Sequence, residues 1–135
     1  MAYESPAVYG TFPASTGLRQ YTAVQINSNG RLIKPTTEGN AIGVLVSSGT
    51  TGSTGRAGST DSGSVQTVQF YGVTKMLAGI ATIGIGDTIK SATDGRASTA
   101  SSTSYRMGVA LGASTGSTSA QVFSVLLLPS VGAWA

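Results

Sequence analysis

Apolar and polar residues alternate along most of this chain with the two-residue period of half-buried strands. Gln20-Tyr21-Thr22-Ala23-Val24-Gln25-Ile26 is the first such run. Asn27-Ser28-Asn29-Gly30 after it predicts a turn, because Asn-Gly accepts positive φ, and Arg31-Leu32-Ile33-Lys34 is the return strand. Pro35 and Glu38-Gly39-Asn40 reset the chain before a strand over Ile42–Val46. Val65–Phe70 runs on through Tyr71-Gly72-Val73-Thr74-Lys75-Met76, long enough for two strands bent at Gly72. Ala78–Asp87 ends in a Gly-Asp turn. Thr88–Ala92 and Ala97–Thr99 flank the turn signal Asp94-Gly95. Tyr105–Leu111 and Gln121–Leu128 complete the body. A short helix over Met76–Ala81 is the competing reading of that stretch, weakened by its glycine.

One pattern occurs twice. Ile42-Gly43-Val44-Leu45-Val46 leads into a Ser/Thr/Gly loop and then the β-rich run Val65–Phe70. Met107-Gly108-Val109-Ala110-Leu111 leads into Gly112–Thr118 and then Gln121–Leu128. Two strand–polar loop–strand units of one design, with almost no catalytic chemistry around them, predict a small β-rich building block that works by assembly. The fold class expected is all-β, a small single-domain β-barrel-like or β-sandwich body with an extended N-terminal arm.

The boundaries follow from where the pattern fails. Residues 1–17 read as an extended N-terminal arm: Tyr3, Val8, Tyr9 and Phe12 are sticky, while Pro6, Pro13, Gly10 and Gly17 break regular structure. Such an arm is either a disordered leader or a segment that orders against a neighbour, since aromatics serve a flexible arm only once buried. Residues 18–128 form the body, with a polar insertion loop at 47–64 that is expected to be mobile because it has no large apolar anchor. Residues 129–135 are a C-terminal tail holding the single tryptophan, Trp134, expected either to fold back on the body or to contact a partner subunit.

Composition narrows the function. At 135 residues with no cysteine and no histidine, the chain has neither disulfide nor the usual metal staple, which leaves oligomerisation as the common aid to a thin core. Only 10% of residues are charged, against roughly 25% for an ordinary domain, so Ser, Thr, Gln and Gly must dress the surface. The net charge of +3 is spread over Arg19, Arg31, Lys34, Arg56, Lys75, Lys90, Arg96 and Arg106 rather than gathered in a stripe, which argues against direct nucleic-acid binding. An acidic protein surface suits it at least as well. Met1–Pro6 lacks the basic and apolar regions of a secretory signal, and no stretch is long and apolar enough for a membrane-spanning helix.

Catalytic readings fail one by one. Asp61-Ser62-Gly63 matches the short element of aspartic proteases, but no hydrophobic strand precedes it. Triads lack His and Cys, and nothing singles out a serine to pair with Lys34, Lys75 or Lys90. Asp87 and Asp94 have no calcium-loop spacing and read as turn caps. Gly49–Arg56 lacks the ending of a phosphate loop, and Gly84-Ile85-Gly86 lacks the third glycine of a dinucleotide fingerprint. No catalytic residue, metal site or cofactor is expected, and the protein reads as a non-enzyme. The contact candidates are Tyr3, Tyr9, Phe12, Arg19 and Trp134. Arg19, at the junction of arm and body, either orients the arm against an acidic shell or is a solvated charge.

The order of segments resembles the small head-decoration, or capsid cement, proteins of tailed bacteriophages. The resemblance rests on Tyr21–Val24 with the turn Asn29-Gly30-Arg31-Leu32, Ile42–Leu45, Phe70–Val73, Ile85–Ile89 before Asp94-Gly95-Arg96, and Met107–Leu111. It covers roughly residues 18–128. It implies a structural virion protein on the outer surface of the mature head, made in the host cytoplasm. Such a protein would stabilise contacts between subunits of the major capsid protein as a homotrimer, its arm touching that partner. The 47–64 insertion departs from the family. The alternative is a tail, fibre or adhesion module of a virion.

Overall fold

A computed structural model describes residues 7–36, 41–47, 63–79, 82–101, 105–114 and 121–128. Among them run nine strands: β1 (Val8–Pro13), β2 (Ala23–Ile26), β3 (Leu32–Ile33), β4 (Gly43–Leu45), β5 (Val65–Leu77), β6 (Thr88–Ser91), β7 (Ala97–Thr99), β8 (Gly108–Ala110) and β9 (Val122–Leu127). They form one curled antiparallel sheet in the order β3-β2-β4-β5-β9-β8-β6-β7, with β1 added to β5. The fold is all-β. Met76 and Leu77 end the long strand rather than starting a helix: their side chains are buried, and strand pairing to Phe123 and Val122 takes their backbone.

The sequence repeat is the visible part of a complete structural duplication. β2 pairs with β3 and β4, and β4 pairs with β5; β6 pairs with β7 and β8, and β8 pairs with β9. Equivalent residues lie 65 apart (24 to 89, 42 to 107, 45 to 110), falling to 57 after the shorter second connection (68 to 125, 69 to 126). Single hydrogen bonds repeat at these spacings. The Ile42 N–H donates to the Val24 carbonyl as Met107 N–H does to Ile89, and Asn27 N–H to Arg31 as Ala92 N–H to Arg96. Each unit curls back on itself through an isolated parallel bridge, Ala14 to Leu32 in the first and Ala78 to Ala97 in the second.

β5 belongs to both units. Its first half pairs with β1 and β4; its second half, from Gly72, pairs with β9 and opens the second unit as β1 opens the first. It stays one strand of 13 residues, turning at Gly72 with φ 101°. Buried Gln69 braces the turn, its side-chain amide donating to the carbonyls of Tyr71 and Val73, both at 3.0 Å.

Two cores result, built from matched positions. Ala14, Leu18, Val24, Leu32, Leu45 and Val68 fill the first, with Phe12 and Phe70 edge to face at 6.0 Å between ring centres. Ala78, Ile83, Ile89, Ala97, Ala110 and Val125 fill the second. Ala23 and Val44, on the outer faces of β2 and β4, pack into this second core. That is why β4 is buried at all three residues while β8 is buried at only two: strands covered on both faces lose the alternation that one-sided strands keep.

The first β-run of the body shortens from Gln20–Ile26 to Ala23–Ile26 because Tyr21 adopts φ 64°, a left-handed conformation. Its counterpart 65 residues on is Gly86, φ 90°. The backbone requirement is repeated, but only the second copy meets it with glycine.

Candidate functional site

The described residues offer no catalytic constellation, and no group of three His, Cys, Asp or Glu among them is placed to hold a metal. Asp87 accepts a 2.7 Å hydrogen bond from the Gly84 N–H, and Asp94 one of 3.0 Å from the Arg96 N–H, so both carboxylates hold turns as their positions suggested. Lys75 lies opposite Ser124 and Lys90 opposite Ser98 in cross-strand register, spread over two strands of the sheet. Asp61 and Ser62 lie outside the described residues, as do residues 48–60 of the insertion.

The contact candidates do not converge. Tyr9 and Phe12 both lie on β1, which pairs with β5 of the same chain. Tyr9 is 56% exposed, whereas half-buried Phe12 turns inward onto Phe70 and the first core. Arg19 is exposed beyond the strand, and its carbonyl accepts the Thr22 hydroxyl at 2.6 Å. Tyr3 and Trp134 lie outside the described residues.

Two features went unmarked in the sequence. The first is a buried polar clamp at the root of the insertion. The Ser47 hydroxyl donates to the Gln66 side-chain oxygen at 2.6 Å and accepts the Thr67 N–H at 3.0 Å, and the Gln66 amide donates to the Ser64 hydroxyl at 3.1 Å. Gln66 stands where the second unit has Phe123, so this polar substitution occurs in the unit that carries the long connection. Buried polar groups are costly once unpaired. Gln66→Leu should therefore destabilise the protein by about 1–3 kcal/mol, read as a lowered urea midpoint with faster hydrogen exchange at the Thr67 amide. The signal in the sequence was a glutamine at an inward position of an alternating strand.

The second is an apolar surface on the second unit. Ile85, at the tip of the Gly84–Asp87 turn, is 73% exposed, and Val73, Leu111 and Leu128 are exposed too. A large aliphatic between two glycines of a turn was the available clue.

No family's sequence pattern matches the chain, and no curated protein does. Among solved structures it is similar to the gp8.5 N base of the head fibre of bacteriophage phi29, with a TM-score of 0.60 and 17% identity, over 93% of this chain and 98% of that one. At that identity the likeness speaks to the fold alone. It corrects the resemblance drawn from sequence. The fold is shared with a head-fibre base, so the decoration or cement family is not retained, nor are the partners it implied, the major capsid protein and a homotrimer.

The physical reason lies in the motifs. Ile42-Gly43-Val44 and Met107-Gly108-Val109 recur within this one chain because each glycine passes against a neighbouring carbonyl, Gln69 for Gly43 and Leu126 for Gly108. Asn29-Gly30-Arg31 and Asp94-Gly95-Arg96 recur because each unit needs the same turn. The motifs report the repeating unit and carry no information about one family of capsid proteins.

Proposed function

We propose that this protein is a non-catalytic structural part of a phage virion, the base module of a fibre borne on the head. The observation that supports it best is the likeness in fold to a head-fibre base over 93% of this chain and 98% of that one. The polar groups agree: the titratable side chains at Asp87 and Asp94 are spent on turns, and the buried amides of Gln66 and Gln69 on bracing the backbone. A base module needs a rigid body and surfaces at its ends, and the curled double unit supplies both.

Antibody raised against this chain, bound to intact virions and seen by negative-stain microscopy, tests the reading. Label at the roots of fibres on the head is expected. Label confined to the tail, or virions that carry none, would overturn it.

A further inference from the structure

The same hairpin turn is made twice, once around an amide and once around a carboxylate. Asn27-Ser28-Asn29-Gly30-Arg31 joins β2 to β3, and Ala92-Thr93-Asp94-Gly95-Arg96 joins β6 to β7. The Gly30 N–H donates to the Asn27 carbonyl at 3.0 Å, as the Gly95 N–H does to the Ala92 carbonyl at 2.9 Å. Both glycines hold positive φ, 74° and 82°. The backbones match, but the surroundings do not.

Gly95 is buried against the first unit. Its carbonyl accepts the Ala23 N–H at 2.7 Å, and a Cβ on it would meet the Ala23 carbonyl oxygen at 2.6 Å. The Asp94 carboxylate is held at both oxygens: Oδ1 accepts the Arg96 N–H at 3.0 Å, and Oδ2 lies 3.6 Å from Arg96 Nε. In the first turn Ser28, Asn29, Gly30 and Arg31 are all exposed. Beyond its chain neighbours, no described residue comes within 4 Å of a Cβ built on Gly30. The side chain that braces this turn is Asn27, whose Oδ1 accepts the N–H groups of Asn29 and Arg31, both at 3.0 Å.

We propose that Asn29-Gly30 is a site of spontaneous deamidation, while the matching Asp94-Gly95 is sealed against the equivalent rearrangement. The Gly30 nitrogen attacks Cγ of Asn29, and glycine has no Cβ to obstruct that approach. The new N–Cγ bond closes a five-membered imide. The Cγ–Nδ2 bond breaks, and Nδ2 leaves as ammonia with the proton that Gly30 gives up. Water then opens the imide at the main-chain carbonyl, giving isoaspartate, or at the side-chain carbonyl, giving aspartate. The hydrogen bond from Gly30 to Asn27 has to open first, which costs little at an exposed turn. Either product lowers the net charge of +3 by one. Isoaspartate also lengthens the main chain by a methylene just before β3, whose Leu32 is fully buried and accepts the Ser15 N–H at 2.9 Å. The isoaspartyl form should therefore unfold at lower urea than the unmodified protein.

The full-length protein, held folded at mildly alkaline pH and body temperature, should gain aspartate and isoaspartate at position 29. Peptide mass spectrometry with chromatographic separation of the two isomers reads this, and released ammonia should match it mole for mole. Asn29→Gln should abolish the change. Asp94→Asn places an Asn-Gly pair in the second turn and keeps an oxygen for the Arg96 N–H. Position 94 of that variant should react many-fold more slowly than Asn29 while the protein is folded, and at a similar rate once urea unfolds it. In the unsubstituted protein Asp94 should stay free of isoaspartate over the same period, a reading that does not depend on the variant folding. Absence of modification at Asn29 in the folded chain overturns the proposal. So does reaction at position 94 of the folded variant as fast as at Asn29, or isoaspartate forming at Asp94 itself.

Discussion

Gly108→Ala is expected to be the most damaging single methyl that can be added to the second unit. A Cβ at Gly108 would fall well inside contact distance of the Leu126 carbonyl, with the Leu126 carbonyl carbon at 2.9 Å and the Leu127 Cα at 3.2 Å. All of these are backbone atoms of β9, the strand to which Gly108 is paired through Leu127. No rotamer change relieves such a clash; the strands must part, and β8 and β9 also carry Ala110 and Val125 of the core. The cost should be about 3 kcal/mol, the upper range of overpacking, against total stabilities of about 5–15 kcal/mol for ordinary domains. Urea denaturation should show it as a midpoint lowered by about 1 M or more. Gly43→Ala should behave alike, because its Cβ would meet the backbone carbonyl of Gln69, with a Val68 side-chain methyl also in the way. An unchanged midpoint for both would mean that the strands do not approach as closely as described.

Leu45→Ala is the second large effect. Leu45 is fully buried in the first core, whereas its counterpart in the second unit is already Ala110. In the second unit Ala110 shares its core with Phe123, which stands where the first unit has the hydrogen-bonded Gln66. The first unit has no aromatic at that position, so truncating Leu45 opens a cavity worth about 2–5 kcal/mol, measurable in the same denaturation series. The double variant Leu45→Ala with Gln66→Phe moves both positions to the residues of the second unit. It should recover part of the loss, although the two side-chain hydrogen bonds that Gln66 makes with the Ser47 and Ser64 hydroxyls are then lost.

Strand content was legible where one face is buried. Ala97–Thr99 is β7 as expected, Thr88–Ala92 overshoots β6 by one residue, and Val65–Met76 falls one short of β5. Alternation there reflects a simple inside and outside. The Ile42–Val46 run is also a strand, but its continuous apolar character records something local reading cannot see, that β4 is covered on both faces by different units. The repeat was legible at Ile42–Val46 and Met107–Leu111, where a close backbone approach forces glycine. It was hidden elsewhere because equivalent positions need only similar backbone: Tyr21 matches Gly86, Gln66 matches Phe123, and Leu32 matches Ala97.

The candidate surface was less legible. Tyr9 and Phe12 looked equivalent as aromatics of an arm, yet strand parity sends one outward and one onto Phe70. Ile85 lies between two glycines just before the Gly-Asp turn, and its 73% exposure emerges only once the chain is folded.

Tandem modules are commonly joined by linkers, and a linker is where such a pair hinges. Here the joint is β5 itself, 13 residues of extended backbone spanning at most roughly 40 Å. β1, β4 and β9 between them hydrogen-bond along it from Val65 to Leu77. Bending one unit relative to the other at Gly72 would break the hydrogen bonds from Leu77 N–H to the Tyr21 carbonyl and from Ala23 N–H to the Gly95 carbonyl, and would draw Ala23 and Val44 out of the second core, so the joint is held from its sides. Covalent backbone passes from one unit into the other without leaving the sheet, and Gln69 braces the one place where it changes direction.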